Sequence, residues 1–466
     1  MSEVFKKMML EDNKAFCIYP WIHMHTTPEG KAAPCCIAKS CEENVGVGDA
    51  KHQSLMELVN SEKMKRLRLD MLAGVKNEEC RKCYWHEESN IRSSREAANK
   101  DFAHTFNEVI DYTNLEDGSL SNFEMRYFDI RFSNICNFKC RTCGAAYSSQ
   151  WENEDLKHKM IGKPVPKNSN PKFLEDVIEQ IPYMEVAYFA GGEPLITEEH
   201  YILLEEMIKQ KKTNIQLKYN TNLSNFKFKN KDLLALWKRF DYKVSIYASI
   251  DHYGERAEYI RNGTDWGVIE QNFLTAQSQP FIDIQMNTVV SVFNFVTLLE
   301  FYQYITDKHM LKPESYTYSL YNTPSPEYLA AHILPVHLKD AGKAKLNLAI
   351  AMMNKFKFRE DQIQHLVNTY NWVGKENTWD QHKLMFRNEV RRLDAIRNED
   401  FEKVFPELAE LMDDSKRPEA MIVVPEIKPA TEPVKQEQVA VQTFSPIVAP
   451  ETKPLNRPLR RPIYPV

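Results

Sequence analysis

The chain has 466 residues, a net charge of −5 and a pI near 6.3. This length excludes a single ordinary domain, and this charge gives no sign of binding to nucleic acid. No apolar run approaches the length that spans a membrane, and the charged N-terminus is unlike a secretory signal, so we expect a cytoplasmic protein with no membrane partner. The nine cysteines stand in three groups, and in a reducing compartment this grouping favours metal ligation over disulfides.

The first region, residues 1–95, contains six of the cysteines and is predicted to be a small α+β module. The segment HTTPEGKAAPC (25–35) predicts two short strands joined by a polar turn at Gly30. Ser54 and Glu57 form a capping box, which predicts that a helix begins there. A second helix is expected to follow it and to lead into the last two cysteines of the module.

Residues 96–122 are predicted to be a polar, partly helical connector, and from 123 to 330 strand-like runs alternate with helix-like ones. Strands spaced by helices imply βα units and a parallel sheet. Six strands are too few for a closed eight-stranded barrel and suit an open one, so we predict an α/β fold with a partial (β/α)6 barrel. The predicted strands are 125–133, 184–191, 214–222, 242–250, 283–291 and 314–321, and the clearest helices between them are 170–181 and 197–210.

The pattern turns helical over residues 331–415, which makes this region a candidate cap for the barrel mouth. Its His365, Asp380 and His382 could act as acid or base, but such residues are more often surface polar side chains, and no catalytic residue is assigned. The tail, 416–466, is rich in proline and is predicted to be disordered, because proline removes backbone donors. The alternative for the tail is peptide docking through polyproline geometry or the basic stretch LNRPLRRP.

Three cysteines, Cys136, Cys140 and Cys143, lie within eight residues directly after the first predicted barrel strand. In parallel α/β barrels this loop lies at the carboxyl end of the sheet, where active sites form. Three thiolates can hold three irons of a four-iron cluster and leave the fourth iron open to a substrate or cofactor. Structural zinc is the alternative, but it usually takes four ligands, and this spacing is not that of a zinc knuckle.

The spacing of these three cysteines after a first strand resembles the signature of the radical S-adenosylmethionine (radical SAM) superfamily. A second match, the sequence GGEP at the end of the second strand, resembles the motif with which this family holds the methionine amino group. Glycines let backbone carbonyls approach a ligand closely, and a glutamate accepts hydrogen bonds from an ammonium group. The resemblance therefore implies S-adenosylmethionine binding at Gly191, Gly192, Glu193 and Pro194.

Other matches are less specific. The segment 248–263 resembles the fourth-strand segment of the family, where a serine and an arginine reach the methionine carboxylate. Here these residues would be Ser249 and Arg261, with a surface arginine as the alternative for Arg261. Asn222, at the end of the third strand, is similarly placed for a ribose or cluster contact, and comparable places are occupied by Asn220 and Asn287.

The N-terminal region resembles the auxiliary-cluster modules called SPASM and twitch, because Cys17, Gly30 and Cys35 fit the pattern C-x(9–15)-G-x4-C. With Cys80 and Cys83, the resemblance implies one auxiliary [4Fe–4S] cluster with four cysteine ligands, as in the shorter twitch form. Zinc is the alternative for these four thiols. Modules of this type usually follow the barrel, whereas this one precedes it. The two cysteines left over could each replace a ligand, Cys36 in place of Cys35 and Cys41 in place of Cys17.

The resemblance implies a radical SAM enzyme. In this family a [4Fe–4S] cluster binds S-adenosylmethionine and cleaves it reductively to a 5′-deoxyadenosyl radical, which takes a hydrogen atom from the substrate. The substrate would be a peptide or a small molecule, and a flavodoxin or ferredoxin would supply the electron. The auxiliary cluster could accept an electron from the substrate radical. The alternative is an inert zinc or iron–sulfur protein with a scaffold or interaction role, which the position of GGEP disfavours.

Overall fold

The computed structural model of the chain describes residues 3–89, 92–168, 170–311, 318–323, 325–374 and 376–412. The predicted tail from residue 416 lies outside the described residues, as do residues 314–317 of the sixth predicted strand. Residues 3–122 fold into short strands and helices. The strands are β1 (His23–Thr26), β2 (Lys31–Ala33) and β3 (Gly48–Asp49), and the helices are α1 (Glu3–Lys7), α2 (Tyr19–Ile22), α3 (Lys39–Glu42), α4 (Leu55–Val59), α5 (Glu62–Leu72), α6 (Arg81–Glu88), α7 (Ser94–Asp101) and α8 (Phe106–Asp111).

The local signals of the N-terminal region are confirmed. Strands β1 and β2 pair antiparallel across a turn in which Gly30 has φ +85°, a conformation that favours glycine. The capping box at the start of α4 is complete, because the Ser54 side chain accepts from the Glu57 amide and the Glu57 carboxylate accepts from the Ser54 amide at 2.8 Å. Helix α5 follows as expected and ends before the last two cysteines of the module.

The middle region alternates strands and helices as its pattern predicts. Two of the short strands, β5 and β11, pair with each other, and β8 pairs with β9. The strands are β4 (Tyr127–Ile130), β5 (Lys139–Cys140), β6 (Val186–Phe189), β7 (Gln216–Thr221), β8 (Lys227–Phe228), β9 (Lys231–Asp232), β10 (Val244–Ser249), β11 (Arg261–Asn262), β12 (Ile282–Val290) and β13 (Tyr318–Asn322), and the helices are α9 (Ser149–Lys157), α10 (Pro171–Glu179), α11 (Glu198–Lys209), α12 (Leu233–Trp237), α13 (Gly254–Ile260), α14 (Trp266–Gln277) and α15 (Leu298–Asp307).

The six predicted barrel strands, β4, β6, β7, β10, β12 and β13, are neighbours in one sheet, and each pairs parallel with the next. A parallel sheet that is covered on both faces by helices is expected to have few polar interruptions, and β4 and β6 are buried along their whole length. The predicted α/β fold with an open parallel barrel is thereby confirmed.

The N-terminal strands extend this same sheet, which the sequence pattern did not indicate. Strand β1 pairs parallel with β4, so that His25 lies opposite Asp129, and β2 and β3 continue the sheet to give nine strands. The sequence HMHT of β1 is fully buried although three of its four residues are polar. Neither an apolar run nor an alternation marks such a strand, and its pairing with a strand about a hundred residues away has no local signal.

The predicted connector is packed into the core. Phe102 and Phe106, which flank the junction of α7 and α8, are fully buried and belong to the same apolar cluster as the barrel strands. Apolar burial of this kind stabilises a side chain by about 1.5–3 kcal/mol. Residues 96–122 therefore join the first region to the barrel through the core rather than as a polar bridge.

The region after the barrel is helical, as predicted. Its helices are α16 (Val336–Lys355), α17 (Glu360–Val373), α18 (Trp379–Arg397) and α19 (Phe401–Val404), followed by a 3₁₀ segment, Pro406–Met412. None of the described helices is long and apolar enough to cross a membrane.

Candidate active site

The segment of residues 134–144, called the cysteine loop below, is fixed in place by helix α9. The Cys136 amide donates to the Ser149 hydroxyl at 3.2 Å, and the Trp151 indole N–H donates to the Cys140 carbonyl at 2.8 Å. The buried Asn134 side chain donates to the Glu152 carboxylate at 2.8 Å. Side chains of helix α9 therefore hold the backbone of the cysteine loop. The three thiols of the loop remain available to bind a metal.

The thiols of the cysteine loop differ in exposure: Cys136 and Cys140 are half-buried and Cys143 is exposed. Burial raises the pKa of Cys136, and the charges of Glu193 and of the other two thiols raise it further. At Cys140 burial also raises the pKa, but the Arg261 guanidinium opposes this effect. Metal ligation requires thiolates, so a positively charged metal must displace these protons.

The GGEP sequence lies directly against the cysteine loop. A Cβ atom on Gly192 would lie 2.2 Å from the Ile135 carbonyl oxygen, a distance that no side chain tolerates. The Glu193 amide donates to the same carbonyl at 2.7 Å. Gly191 has φ +131°, and its Cα faces the side chain of Arg131. Two glycines are therefore required for β6 to end in contact with the loop.

The Glu193 carboxylate is fully buried and binds donors of its own chain. One oxygen accepts from the Leu195 amide at 3.0 Å and the Thr221 hydroxyl at 2.7 Å, and the other accepts from the Asn222 amide at 2.7 Å. Burial raises the pKa of Glu193 to about 7, although these hydrogen bonds lower it. A carboxylate has about four acceptor positions, so one remains for a further donor.

Asn222 connects the end of β7 to the cysteine loop. Its side-chain nitrogen donates to the Asn137 side-chain oxygen at 2.9 Å, and its own oxygen accepts from the Ser224 amide at 3.0 Å. Asn220 of β7 and Asn287 of β12 lie on the two strands that flank β10, and their side chains contact each other at 3.4 Å. All three asparagines predicted from the sequence thus lie near the carboxyl ends of the strands, and Asn222 contacts the loop itself.

Arg261 is not a surface arginine, because its side chain is only 13 % exposed. It forms a two-point ion pair with Asp251, with Nε–Oδ2 at 2.8 Å and Nη2–Oδ1 at 3.1 Å, while Nη1 lies 3.7 Å from the Cys140 sulfur. Strand β11 brings it there, because Arg261 pairs with Cys140 of β5. Ser249 ends β10 two residues before Asp251. Asp251 itself was missed, although an acid directly after a strand is a usable signal.

The N-terminal cysteine set, Cys17, Cys35, Cys80 and Cys83, comes together from three segments of the chain. Burial raises the pKa of Cys35, and the charges of Cys83, Cys80 and Cys17 are among those that raise it further. Cys36 has different surroundings, because the groups that act on it after burial are Asp129, Arg131 and Cys41. Among the described residues, no three His, Cys, Asp or Glu side chains are gathered as ligands of one metal ion; in a four-iron cluster each thiolate binds its own iron.

Models of known families match both the barrel region and the N-terminal region of the chain. The model of the radical SAM superfamily matches residues 130–297, which include the cysteine loop, GGEP and Arg261. The model of the SPASM iron–sulfur cluster-binding domain matches residues 17–84, which include the N-terminal cysteine set. Residues 130–297 therefore carry a radical SAM domain, and residues 17–84 carry a SPASM domain. The radical SAM domain implies S-adenosylmethionine and a [4Fe–4S] cluster as cofactors, and the SPASM domain implies auxiliary iron–sulfur binding.

Solved structures show a partial likeness to this chain. Native anSMEcpe with bound AdoMet has a TM-score of 0.35 at 16% identity, over 49% of this chain and 60% of that chain. The same protein with bound AdoMet and Cp18Cys peptide has a TM-score of 0.34 at 15% identity, with the same coverage. The chain thus spans less than two thirds of the length of these neighbours. No curated protein matches the chain.

Side chains of the C-terminal helical region form ion pairs with the cysteine loop and with helix α9. These ion pairs are called the C-terminal clamp below. Arg141, whose side chain is 1 % exposed, binds Asp394 and Glu399 at 2.5 Å each. Arg397, at the end of α18, binds Glu154 of α9 at 2.7 Å, and the same carboxylate binds Lys139 at 2.6 Å. The helical region was predicted to cap the barrel, and its side chains do contact this loop. Sequence reasoning could not find these pairs, because their members lie about 240 to 260 residues apart.

The surroundings of the N-terminal set suit thiolate ligands. The backbone amides of Ser94 and Arg95, at the first turn of α7, lower the pKa of Cys83, which burial raises. The first amides of a helix have no partner within it and are available to a sulfur ligand. Arg95 also binds Glu87 at 2.7 Å, which fixes that turn. Amide hydrogen bonds to sulfur are one of the means by which proteins tune cluster potentials.

Proposed function

We propose that Cys136, Cys140 and Cys143 are the protein ligands of the catalytic cluster of this enzyme and that the reaction takes place at the adjoining end of the barrel. When bound there, the cluster and S-adenosylmethionine supply a 5′-deoxyadenosyl radical, which takes a hydrogen atom from a peptide or small-molecule substrate. The proposed ligand-holding residues around them are Gly191, Gly192, Glu193, Pro194, Asn222, Ser249 and Arg261.

The observation that carries this proposal is the contact between GGEP and the cysteine loop. Gly192 packs on the Ile135 carbonyl so closely that no Cβ fits, and the Glu193 amide donates to the same oxygen. Two motifs about fifty residues apart thus form one backbone unit. A scaffold with no ligand at this place would have no need for so close an approach.

Two side chains are placed to bind the ends of an amino acid. The acceptor position that remains on Glu193 fits an ammonium group, and the neighbouring Thr221 and Asn222 hold the carboxylate in place. The Arg261 guanidinium is oriented by Asp251, and its Nη1 points towards Cys140 and fits a carboxylate. These roles agree with the ammonium and carboxylate groups of a bound methionine moiety.

We further propose that the N-terminal cysteine set holds an auxiliary [4Fe–4S] cluster that accepts an electron from the substrate radical. Four thiol ligands favour electron relay over substrate binding, because no iron of such a cluster is left open. A flavodoxin or ferredoxin of the cytoplasm would supply the electron that starts the reaction. In this proposal residues 1–95 are the auxiliary module, 96–122 the connector, 123–330 the barrel and 331–415 the helical region.

The proposal is tested by anaerobic reconstitution with iron and sulfide. Cys140→Ala should lose 5′-deoxyadenosine formation under dithionite and keep the iron held by the N-terminal set. The matched variant, Cys80→Ala with Cys83→Ala, should lose that iron and still form 5′-deoxyadenosine in the absence of substrate. If Cys140→Ala cleaves S-adenosylmethionine as well as the wild type, the ligand assignment is wrong.

A further inference from the structure

A buried charged group, His25, Asp129 and Arg131, lies inside the barrel and has no role in the proposal above. His25 of β1 and Asp129 of β4 are opposite each other in the sheet, and Arg131 follows Asp129 by two residues on the same side of the chain. The Arg131 amide donates to the Thr26 carbonyl at 3.2 Å, so β1 also supports this end of β4.

The group lies between the two sets of cysteines. After burial, Asp129 and Arg131 are the groups that act most on the pKa of Cys36, the neighbour of Cys35 in the N-terminal set. Tyr147, which follows the cysteine loop, adjoins both sets: burial raises its pKa most, and after that Arg131 lowers it while Cys41 and Cys143 raise it. A substrate that loses a hydrogen atom at one centre and gives an electron to the other would lie in this interval.

Arg131 is only partly paired within this group. Asp129 is fully buried and contacts both bases, with the His25 Nδ1 at 3.0 Å and the Arg131 Nε at 3.4 Å. Burial disfavours the charge on Asp129, yet His25 and Arg131 hold its pKa well below the usual range. The carboxylate contacts the Arg131 guanidinium through Nε, which leaves the two terminal nitrogens of that guanidinium.

The terminal nitrogens of Arg131 are donors without acceptors. The only side-chain hydrogen bond of Arg131 to another described residue comes from Nε, so neither terminal nitrogen has a partner in the part of the chain that the structure describes. Tyr188 and Tyr147, which also adjoin Arg131, carry no full charge below the raised pKa of each phenol.

We propose that Arg131, oriented by Asp129 and His25, binds a carboxylate group of the substrate. A single unpaired guanidinium edge offers two parallel N–H donors, which match the two oxygens of a carboxylate. This inference rests on the proposed function and adds a substrate class to it: a molecule with a free carboxylate, from an acidic side chain, a C-terminus or a small acid.

The test uses radiolabelled acetate and equilibrium dialysis against the reconstituted enzyme, with neutral acetamide as the matched probe. We expect saturable acetate binding that acetamide does not displace, and a loss of affinity of about tenfold or more in Arg131→Gln, because a charged hydrogen-bonded pair contributes about 1.5–3 kcal/mol. The acetate affinity of Arg131→Lys should lie between those of the wild type and Arg131→Gln, since lysine keeps the charge without the two-point geometry. Arg239→Gln, on the exposed surface, should bind as the wild type does.

The same dialysis with saturating S-adenosylmethionine identifies the source of the carboxylate. Acetate binding that persists assigns the site to the substrate, whereas displacement by S-adenosylmethionine overturns that assignment in favour of the methionine carboxylate. Unchanged binding in Arg131→Gln overturns the site itself. Because dialysis requires no turnover, a wild type that binds acetate but forms no 5′-deoxyadenosine contradicts the proposed function and leaves the carboxylate site standing.

Discussion

The cysteine loop and the N-terminal cysteine set differ in where their support comes from. The three thiols of the loop lie within eight residues and the following helix α9 holds the loop, but its other supports come from GGEP, from β11 and from the C-terminal helices. The four thiols of the N-terminal set span 67 residues, yet the contacts around them come mostly from residues 13–99.

The difference shows that the ease of recognising a site in the sequence is independent of where its structural support comes from. A motif that is compact in sequence is easy to recognise, but its geometry also depends on distant residues, and some of these, such as Asp394 and Glu399, have no sequence signal. A set that is dispersed in sequence is harder to recognise, but its support is local. Variants in the distant supports of the loop should therefore damage one centre and spare the other.

The largest effect is expected from Gly192→Ala. Its Cβ would meet the Ile135 carbonyl at 2.2 Å, and two backbones would have to separate. Overpacking usually costs about 1–3 kcal/mol, and here it falls on the loop that carries the ligands. Reconstituted Gly192→Ala should lose the loop cluster and retain the other, so iron per chain should fall by about half if both are [4Fe–4S] clusters.

Gly162→Ala is the matched control for this change, because nothing lies within 4 Å of a Cβ at that position. It should reconstitute like the wild type. Full iron content and normal 5′-deoxyadenosine formation in Gly192→Ala would show that the close approach is not needed, and would remove the observation on which the proposed function rests.

The next effect is expected at the C-terminal clamp. Asp394→Asn with Glu399→Gln leaves the Arg141 charge buried without its partners, and breaking such a pair costs about 3–5 kcal/mol. We expect a lower free energy of unfolding in urea and an altered electron paramagnetic resonance spectrum of the loop cluster. Glu407→Gln breaks a similar pair with Arg256, which joins the C-terminal region to α13, and should lower stability without changing that spectrum.

Some of the contacts described above could be predicted from the sequence, and others could not. The six barrel strands, the capping box at α4 and both cysteine groups were predictable, because each is a local pattern of spacing or periodicity. The pairing of β1 with β4 was not, since HMHT has no strand pattern and its partner lies about a hundred residues away. Asp394 was missed for the same reason, because its role comes from the distant arginine that it binds, whereas Asp251 had a local signal in its place directly after a strand.

A smaller effect is expected in the protonation of Glu193 when S-adenosylmethionine binds. Its pKa of about 7 means that it is about half protonated at pH 7, and a bound ammonium group would lower that pKa. Binding of S-adenosylmethionine should therefore release about half a proton at pH 7 and almost none by pH 9. Calorimetry in buffers of different ionisation enthalpy measures this number, and Glu193→Gln should release none from this position.

The sign of the same shift predicts a stability effect. A folded pKa above that of an ordinary glutamate means that the native state holds the proton more tightly than the unfolded chain. The stabilising contribution is therefore present at acidic pH and is lost as the pH rises through about 7. Relative to Glu193→Gln, the wild type should lose stability between about pH 4.5 and 7. A gain over that interval would mean that the three donors outweigh burial.

The smallest effect comes from two serines that cap helices in the two regions. Ser54 accepts from the Glu57 amide at the start of α4, and Ser148 accepts from the Trp151 amide at the start of α9. Replacing either with alanine should cost about 1 kcal/mol. Ser148 also donates to the Phe138 carbonyl of the cysteine loop at 2.6 Å, so only Ser148→Ala should weaken iron retention there. Equal iron loss in both variants would mean that global stability, and not the support of the loop, governs the cluster.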